Sequence, residues 1–457
     1  MRYEDALKYL DGLLEGARPA LPLERRLDRM ARLLEAMGLR RPPYPVVLVA
    51  GTKGKGSTAT MLAAILSAAG RRVGLHTKPH VSDYRERIRL DGDPVEPETL
   101  ARLVAEIAPT VEQASAGGSG RPTYFEVSLA LALRCFVEAH VDVAVVEVGV
   151  GGRYDATNVL DPVLSVITPI SRDHTETLGE TLGAIARHKA GILRPHRPVV
   201  TAPQVPDVEA VLEEESTAVG ARRIRAGEAA AWIRVAPDAA GEVFSLQTHR
   251  ADYGRLVAGL RGRHQIVNAA TAVLAAEEVA APRAVPVAAV HAGLRSAFLP
   301  GRFEVLPGAP PLVLDVAHNA ASMDAVRAAL DDYFPGRPVV LVFGMIGTHE
   351  PDEASGIIAS RSRLAVITEP AHIRPVAAGD LADLMRRRMA GVEIARDPLA
   401  AVDRALAVAG PDEVVCVTGS VYLVGAVRGR LIAQRAAAGP TAGQDRATET
   451  PARAGSG

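Results

Sequence analysis

The chain has 457 residues, and 48% of them are hydrophobic, which is enough to build more than one buried core. Its 52 Lys and Arg residues balance 53 Asp and Glu residues, so the net charge gives no reason to expect nucleic acid or an acidic membrane as a partner. The sequence has no signal-peptide pattern at its start and no apolar stretch of the roughly 18 residues that span a membrane. Its two cysteines, Cys135 and Cys416, lie within apolar runs, which favours reduced core residues over a disulfide framework. We therefore expect a two-domain α/β protein of the cytoplasm.

The predicted elements of the first half alternate between helices and apolar strands. Helical spacing of apolar residues up to Gly38 predicts two leading helices. The run 45–50 (PVVLVA) predicts a strand that ends at a glycine, and residues 57–69 predict the helix that follows it. Apolar runs at 72–76, 141–146, 163–168 and 198–201 alternate with helical segments at 125–138 and 182–190. Because these strands are continuously apolar, they predict a parallel sheet that is covered by helices on both faces.

A second set of alternating strands and helices begins after Pro300 and Gly301, which interrupt the pattern. Its predicted strands lie at 312–315, 338–343, 364–368 and 413–417. We predict a first domain of residues 1–298 and a smaller α/β domain of residues 299–434. Residues 435–457 lack apolar periodicity and are predicted to form a disordered tail. The glycine-rich segment 115–121 is predicted to be a surface loop of the first domain.

The strongest motif is the segment GTKGKGST, which lies between the first predicted strand and its helix. In such a segment, glycines let main-chain N–H groups close around phosphate oxygens, and the helix N-terminus adds partial positive charge. Lys55 can reach the β and γ phosphates, and Ser57 or Thr58 can ligate Mg²⁺. A turn that merely needs glycine explains neither the lysines nor the hydroxyls. The predicted nucleotide-binding residues of this loop are Gly51, Thr52, Lys53, Gly54, Lys55, Gly56, Ser57 and Thr58.

Further charged residues follow other predicted strands. Glu147 ends one strand, where the carboxyl edge of an open sheet faces the ligand crevice, so it can hold a metal, although a solvent-facing strand end is the alternative. Asp173 and His174 follow another strand, and they can bind metal, position substrate or cap the next helix. Lys189 lies toward a helix end, where a lysine by itself often only complements the helix dipole.

The order of these motifs, GTKGKGST, EVGVGGRYDATN, DHTETLG and HKAGIL, resembles the folylpolyglutamate synthase and dihydrofolate synthase branch of the Mur ligases. The resemblance covers about residues 1–433 and continues through RERI (85–88), TYFE (123–126), RHQIVN (263–268), LPGR (299–302), DVAHN (315–319) and TGSVY (418–422). It implies a P-loop ATPase domain with a parallel-rich sheet and a Rossmann-like C-terminal domain that binds the incoming amino acid. The reaction would occur between the two domains, and closure would exclude water.

The resemblance also implies site roles, cofactors and partners. The catalytic residues would be Lys55, Lys189 and His174, and the metal site would comprise Ser57, Glu147, His174 and a carbamylated Lys189. Asn268, Arg302, Asp315 and His318 would complete the nucleotide site, and Lys78, His80, Arg85, Glu126, Asp155 and Ser420 would contact the substrate. The implied cofactors are ATP and Mg²⁺, with a monovalent cation such as K⁺ as a further candidate. The implied partners are ATP, glutamate and a folate or pteroate, and we expect a monomer without nucleic-acid or membrane partners.

The expected activity is ATP-dependent amide ligation, in which a carboxylate is activated as an acyl phosphate and then joined to glutamate. The chain departs from the family pattern at Lys78, since the family commonly has serine before the Pro-His pair, and an ammonium cannot ligate Mg²⁺. Lys78 either contacts a phosphate directly or points elsewhere while water takes the coordination position. The stretch 81–84 (VSDY) lacks the aromatic residue and asparagine expected there, and Val316 and Ala320 replace the usual glycine and proline.

These departures leave a rival within the same class, a ligase that joins an amino acid to a non-folate carboxylate. A muropeptide ligase or a GTPase-type hydrolase fits less well, because Gly56 separates the loop lysine from Ser57. A regulator that binds ATP without ligation would explain the phosphate-binding loop but not the DVAHN and TGSVY segments.

Overall fold

A computed structural model of the chain describes residues 1–14, 23–116, 120–347 and 351–437. It divides into two compact units, Met1–Pro300 and Gly301–Gly457, a division two residues beyond the predicted one. The predicted tail lies outside the described residues from residue 438 onward, as do residues 117–119 of the predicted loop. The last described helix reaches Ala437.

The strands of the first unit form two sheets in the part of the chain that the structure describes. The larger sheet contains β1 (Val46–Ala50), β2 (Val73–His76), β3 (Ile88–Leu90), β4 (Asp93–Pro94), β5 (Val143–Glu147), β6 (Leu164–Ile167), β7 (Pro198–Thr201) and β8 (Arg222–Arg225). The smaller sheet contains β9 (Ala230–Arg234), β10 (Glu242–Thr248) and β11 (Asp252–Ala258).

The helices of the first unit begin and end as follows. They are α1 (Tyr3–Asp11), α2 (Leu23–Ala36), α3 (Lys55–Ala68), α4 (Pro97–Ala116), α5 (Tyr124–Glu138), α6 (Thr175–Leu178), α7 (Leu182–Ala190), α8 (Pro206–Val219), α9 (Ala226–Ala229), α10 (His264–Ala280) and α11 (Val287–Ser296). Short 3₁₀ helices lie at Tyr84–Arg87 and Ala156–Val159.

The larger sheet has the order β4-β3-β2-β5-β1-β6-β7-β8, and only the β2–β3 and β3–β4 pairs of this order are antiparallel. Every residue of β1 is buried, because Val46 and Leu48 pack into the core on one face of the sheet while Val47 and Val49 pack into the core on the other. This double burial accounts for the continuous apolar runs. The predicted parallel-rich α/β fold is therefore confirmed.

Pairing in this sheet fixes where the strand ends lie. Val49 of β1 is opposite Glu147 of β5, and Ala50 is opposite Ile167 of β6. His76, the last residue of β2, is opposite Val146 of β5. The carboxyl ends of β2, β5, β1 and β6 therefore lie side by side at one edge.

The smaller sheet, which the sequence did not predict, is antiparallel with the order β11-β10-β9. Its inner side joins the same apolar core as α3, α10 and α11, through residues such as Phe244 and Leu256. That core lies on one face of the larger sheet and surrounds α3.

The second unit contains one sheet among its described residues, with the order β12-β13-β17-β14-β15-β16. Its strands are β12 (Glu304–Leu306), β13 (Leu312–Leu314), β14 (Val339–Phe343), β15 (Ser362–Ile367), β16 (Val392–Ile394) and β17 (Val414–Thr418), and the β12–β13 pair alone is antiparallel. Its helices are α12 (Ala320–Tyr333), α13 (Pro351–Ala359), α14 (Ala378–Arg386), α15 (Pro398–Val408) and α16 (Val421–Ala437). In the described ranges of the chain, no helix is both long and apolar enough to cross a membrane.

Candidate active site

The phosphate-binding loop connects the end of β1 to the start of α3, at the edge where the strand ends meet. Gly51 and Gly54 have φ angles of +143° and +82°, which L side chains rarely adopt. A Cβ at Gly51 would lie 1.9 Å from Thr168 Oγ1, and a Cβ at Gly54 would lie 2.2 Å from Asn268 Oδ1. Both positions therefore require glycine for space as well as for conformation.

The segment that follows β6 holds the loop from one side. The N–H groups of Thr52 and Lys53 donate to the carbonyl oxygen of Pro169 at 3.0 and 3.2 Å. The Thr52 hydroxyl donates to the Ser171 carbonyl at 3.0 Å and accepts from the Ser171 N–H at 3.1 Å. Because these donors are used inside the protein, the first turn of α3 is left to supply N–H groups to an anion.

Two lysine ammonium groups bond to carbonyl oxygens of this loop. Lys55 Nζ donates to the Thr52 carbonyl at 3.1 Å, and Lys189 Nζ donates to the Gly51 carbonyl at 2.7 Å. Burial, and next the Lys78 ammonium, lower the pKa of Lys55 to about 8. Burial, and next the Lys55 ammonium, lower the pKa of Lys189 to about 7. The charged forms of both lysines are therefore costly until an anion joins them.

Glu147 brings a buried carboxylate beside the start of α3. Its side chain accepts a hydrogen bond from the Lys78 N–H at 3.0 Å through Oε2, and the residue is 3% exposed. A Cβ added to Gly56 would lie 3.4 Å from the same oxygen. One residue beyond Ser57, the buried Thr58 hydroxyl has no hydrogen-bond partner among the described residues.

These oxygen donors fit Mg²⁺, which prefers carboxylates and hydroxyls and usually completes its shell with water and substrate phosphates. Within the ranges the structure describes, no group of three or more His, Cys, Asp or Glu side chains is arranged to hold a metal. A cage made of protein carboxylates and imidazoles alone is thus absent from those ranges. The donor set suits a metal that arrives with a nucleotide.

His174 follows β6 and has a left-handed φ of +50°. Its Nε2 lies 3.9 Å from Asp173 Oδ1, and its Nδ1 lies 3.8 Å from Glu176 Oε1. Burial lowers the pKa of His174 despite the opposing effect of Asp173. A neutral, half-exposed imidazole of this kind is suited to ligation or to hydrogen bonding.

The segment after β2 carries a cluster of aromatic rings around one guanidinium. Arg87 Nε donates to His80 Nδ1 at 2.8 Å, and the Arg87 guanidinium lies 5.0 Å from the Tyr124 ring centre and 5.7 Å from that of Tyr84. Burial, and then Arg87, lower the pKa of His80 to about 4. His80 is thus held as a neutral acceptor next to a cation and two aromatic faces.

Three predicted substrate residues, Arg85, Glu126 and Asp155, form hydrogen bonds or ion pairs with other residues of the protein. Arg85 pairs with Asp83 at 2.7 Å. The Glu126 carboxylate accepts two hydrogen bonds from Arg29, at 2.8 and 3.0 Å, and a third from the Thr123 N–H at 2.7 Å.

The Asp155 carboxylate is also engaged. It accepts hydrogen bonds from the Val150 N–H at 2.8 Å, from the Thr157 N–H at 3.0 Å and from the Thr157 hydroxyl at 2.6 Å. These bonds hold its own loop in shape, so a purely local role accounts for its burial.

Asn268 is the predicted nucleotide residue that the fold brings to the loop from far along the chain. It lies on α10, is 3% exposed, and its Nδ2 donates to Gln265 Oε1 at 2.9 Å, which leaves Oδ1 against Gly54.

The other distant predicted residues belong to the second unit. Asp315 follows β13 and accepts from the N–H groups of Phe303 at 2.7 Å and Ala317 at 2.8 Å. Burial raises its pKa. His318 Nδ1 lies 2.9 Å from the Val316 carbonyl oxygen.

Arg302 and Ser420 lie in loops of the same unit. Arg302 Nη1 donates to the Gly301 carbonyl at 3.4 Å, and the buried Ser420 hydroxyl accepts from the Tyr422 N–H at 3.1 Å.

Some residues of the first-unit site were missed in the sequence. Thr168 and Ser171 brace the loop, and the TPISRDH segment that contains them gave a signal, but its hydroxyls were not assigned. His76, at the end of β2, was not singled out either; it is fully buried, with Nε2 3.3 Å from the Ser128 hydroxyl. A histidine inside an apolar strand gives no local signal for such a position.

The chain is similar to known proteins along most of its length. The Mur ligase middle domain matches residues 49–276, and the glutamate ligase domain of Mur ligases matches residues 301–421. A dihydrofolate synthase/folylpolyglutamate synthase of Bacillus subtilis is 33% identical over 439 residues, covering 94% of this chain and 99% of the relative. The relative of the same description from Escherichia coli is 32% identical over 416 residues, covering 90% and 92%.

Solved structures give the same result for the fold. Mycobacterium tuberculosis folylpolyglutamate synthase complexed with ADP aligns with a TM-score of 0.86 at 33% identity, covering 93% of this chain and 98% of that one. An Escherichia coli relative in complex with DHPP and ADP aligns with a TM-score of 0.81 at 29% identity, covering 94% and 98%. The predicted resemblance is confirmed, and the chain belongs to the folylpolyglutamate synthase and dihydrofolate synthase family of Mur ligases.

Proposed function

We propose that the chain is an ATP-dependent ligase that joins the amine of L-glutamate to a carboxylate of a folate or a dihydropteroate. The observation that carries the proposal is the convergence of Lys55, Lys189 and Glu147 on the phosphate-binding loop and the start of α3. The Lys55 ammonium suits a polyphosphate, and the Glu147 carboxylate suits its metal. The names of the relatives, and the ADP and DHPP in their structures, support the substrate class.

The chemistry follows from the low reactivity of a carboxylate. A carboxylate oxygen of the pterin-bearing substrate attacks the γ phosphorus of ATP, the bond from that phosphorus to the β,γ-bridging oxygen breaks, and ADP leaves with the electron pair. The glutamate amine then attacks the acyl carbon, the carbon–oxygen bond to phosphate breaks, and inorganic phosphate leaves as the amine gives up a proton. In this scheme Lys55 and the N–H groups at the start of α3 stabilise the charge that develops on phosphate oxygens.

We propose that Ser57, Glu147 and His174 hold Mg²⁺ together with the nucleotide. When bound, the metal would offset negative charge on the phosphates. A monovalent cation such as K⁺ is a further proposed requirement, which replacement of K⁺ by Na⁺ in the assay would test.

Lys189 is proposed to act as a carbamate. Its neutral amine attacks CO₂ and loses a proton, and the resulting carbamate is an anionic oxygen ligand that would suit a second Mg²⁺. The lowered pKa of Lys189 supports this proposal, because only the neutral amine reacts.

In the second unit, we propose that Asp315 acts by positioning. Its hydrogen bonds to Phe303 and Ala317 hold the turns that carry Arg302 and His318, the proposed nucleotide contacts. Ser420 is proposed to contact the amino-acid substrate.

Among the predicted substrate residues of the first unit, we propose that Lys78 and His80 contact a substrate directly. For Arg85, Glu126 and Asp155 we propose that they stabilise the fold through their bonds within the protein.

We further propose a cytoplasmic monomer that has neither nucleic acid nor membrane as a partner. The two free, buried cysteines support a reducing compartment, and the formal net charge of −1 supports small-molecule partners. Light scattering of the purified chain would test the oligomeric state.

The test is a product assay with ATP, Mg²⁺ and labelled glutamate, with dihydropteroate and tetrahydrofolate in separate reactions and products identified by mass. We expect incorporation into at least one of them, and the substrate that reacts defines the activity. Omitting ATP should abolish the product in every reaction.

The second candidate, ligation of a non-folate carboxylate, is favoured by the altered segment at residues 78–84. It predicts no product with either pterin but ADP formation that depends on glutamate and another carboxylate. ADP formation that is independent of glutamate would instead indicate a nucleotide-hydrolysing regulator.

A further inference from the structure

The chain contains few lysines, and most of them lie in or near the phosphate-binding loop. Of the 52 Lys and Arg residues, the lysines are Lys8, Lys53, Lys55, Lys78 and Lys189, and the others are arginine. Lys53 and Lys55 lie in the phosphate-binding loop, and Lys189 bonds to the loop carbonyl of Gly51. Lysine is a compact point charge, whereas arginine is a broad planar fork, so a chain that otherwise uses arginine has a chemical reason for lysine here.

Lys78 belongs to this group by position. It follows β2, the neighbour of β5, and its N–H donates to Glu147 Oε2 at 3.0 Å. The backbone of Lys78 is therefore tied to the carboxylate that flanks the start of α3.

The Lys78 side chain is half-buried and makes no ion pair within the described ranges of the chain. Its ammonium nevertheless interacts with other groups of the site. It is close enough to Lys55, Lys189 and His174 to interact electrostatically with each of them.

Lys53, Lys55 and Lys78 bring three ammonium groups to the loop and the strand end beside it, where Glu147 and Asp173 supply carboxylates. Ammonium groups gathered at a glycine-rich loop and a helix N-terminus suit a chain of phosphates, the anion that such a loop accepts.

We propose that the Lys78 ammonium binds terminal phosphate oxygens of the nucleotide directly, and so carries part of the charge that a divalent cation would otherwise offset. This inference rests on the proposed function, because it takes ATP as the substrate. It makes nucleotide binding by this chain less dependent on metal than it would be with a hydroxyl at position 78.

The experiment measures binding of a non-hydrolysable ATP analogue to the full chain by calorimetry, once with EDTA and once with excess Mg²⁺. The proteins are the unaltered chain, Lys78→Ser, Lys78→Arg and the control Lys8→Ser, each checked for an unchanged melting temperature. Loss of a charge-assisted contact should weaken metal-free binding by Lys78→Ser about tenfold or more. With Mg²⁺ the loss should be smaller, Lys78→Arg should recover part of the metal-free affinity, and Lys8→Ser should match the unaltered chain.

A second readout is the Mg²⁺ concentration that gives half-maximal ligation, which should rise in Lys78→Ser. Equal metal-free affinities for the unaltered chain and Lys78→Ser would overturn the Lys78 inference while leaving the proposed function intact. If the unaltered chain binds the analogue neither with nor without Mg²⁺, the proposed function itself is wrong, and the inference falls with it.

Discussion

The Lys189 ammonium donates a 2.7 Å hydrogen bond to the carbonyl oxygen of Gly51, the first residue of the phosphate-binding loop. Helix α7 is thereby joined to the loop between β1 and α3. The contact places a buried amine where a polyphosphate and its metal are proposed to bind. The protonation state of Lys189 therefore changes the charge of the site.

We expect carbamylation of Lys189 to increase with pH from about 6 to 8.5. An ordinary lysine has a pKa near 10.4 and stays charged over this range, whereas burial lowers the pKa of Lys189 to about 7. Because the neutral, reactive amine accumulates as the pH passes through the lowered pKa, reaction with CO₂ is favoured on the alkaline side. Carbon-13 NMR under fixed ¹³CO₂ pressure would detect the carbamate, and Lys189→Met should lack the signal. A signal that persists in that variant would assign the carbamate to another amine.

Lys55→Ala and Glu147→Ala should each abolish ligation while the fold is retained. The first removes a cation from the phosphates, and the second removes the buried carboxylate proposed for the metal. Loss of one preorganised charge contact typically lowers turnover by about a hundredfold or more. Ligation rates and thermal melts would be measured beside Lys8→Ala, which changes a lysine outside the site. Full activity in either site variant refutes its assigned role.

Gly54→Ala should impair nucleotide binding more than it impairs stability. Its Cβ would overlap Asn268 Oδ1 at 2.2 Å, so the loop or Asn268 must move. Gly70→Ala is the matched control, since Gly70 has a φ of +84° against +82° for Gly54, and its Cβ would meet no described atom within 4 Å.

Both substitutions should lower the free energy of unfolding by about 1–2 kcal/mol, because alanine strains the backbone at these positive φ angles. Only Gly54→Ala should weaken binding of the ATP analogue. Equal affinities in the two variants would mean that the contact between Gly54 and Asn268 does not shape the site.

Glu126→Gln should act on stability and not on substrate affinity. It removes the charge partner of Arg29, whose side chain is 10% exposed, and a buried ion pair that loses one member costs about 3–5 kcal/mol. Chemical denaturation would measure the loss, and the double variant Arg29→Met with Glu126→Gln should recover part of it because no unpaired charge remains. A stable Glu126→Gln protein with a raised KM for the pterin substrate would instead support direct substrate contact by Glu126.

The strand edge of the first unit could be predicted from the sequence because its signals are local. The buried runs that became β1, β5 and β6 are continuously apolar, and each is followed by glycine, hydroxyl or charged residues. Parallel strands bring such ends together, so the association of Glu147 with the loop before α3 follows from topology.

The antiparallel β9–β11 sheet could not be predicted in the same way, since its strands are apolar on the side that packs on the core and carry exposed residues such as Ile233 and Arg255 elsewhere. The partners of buried charged residues could not be predicted from the sequence either. Arg29 and Glu126 are 97 residues apart in the chain, and only the folded structure identifies them as a pair. The residue type alone does not show whether a carboxylate stabilises the fold or contacts a ligand. Its neighbours in the folded structure do.

The scarcity of lysine has a practical consequence for spectroscopy. Reductive methylation with ¹³C-formaldehyde labels lysine side chains and the chain N-terminus, so this protein should give a spectrum of very few amine signals. Lys8 would serve as the internal reference, while Lys53, Lys55, Lys78 and Lys189 would report on the loop without any engineered label. In most proteins of this size such a spectrum is dominated by surface amines, but here it would be a direct view of the phosphate-binding region.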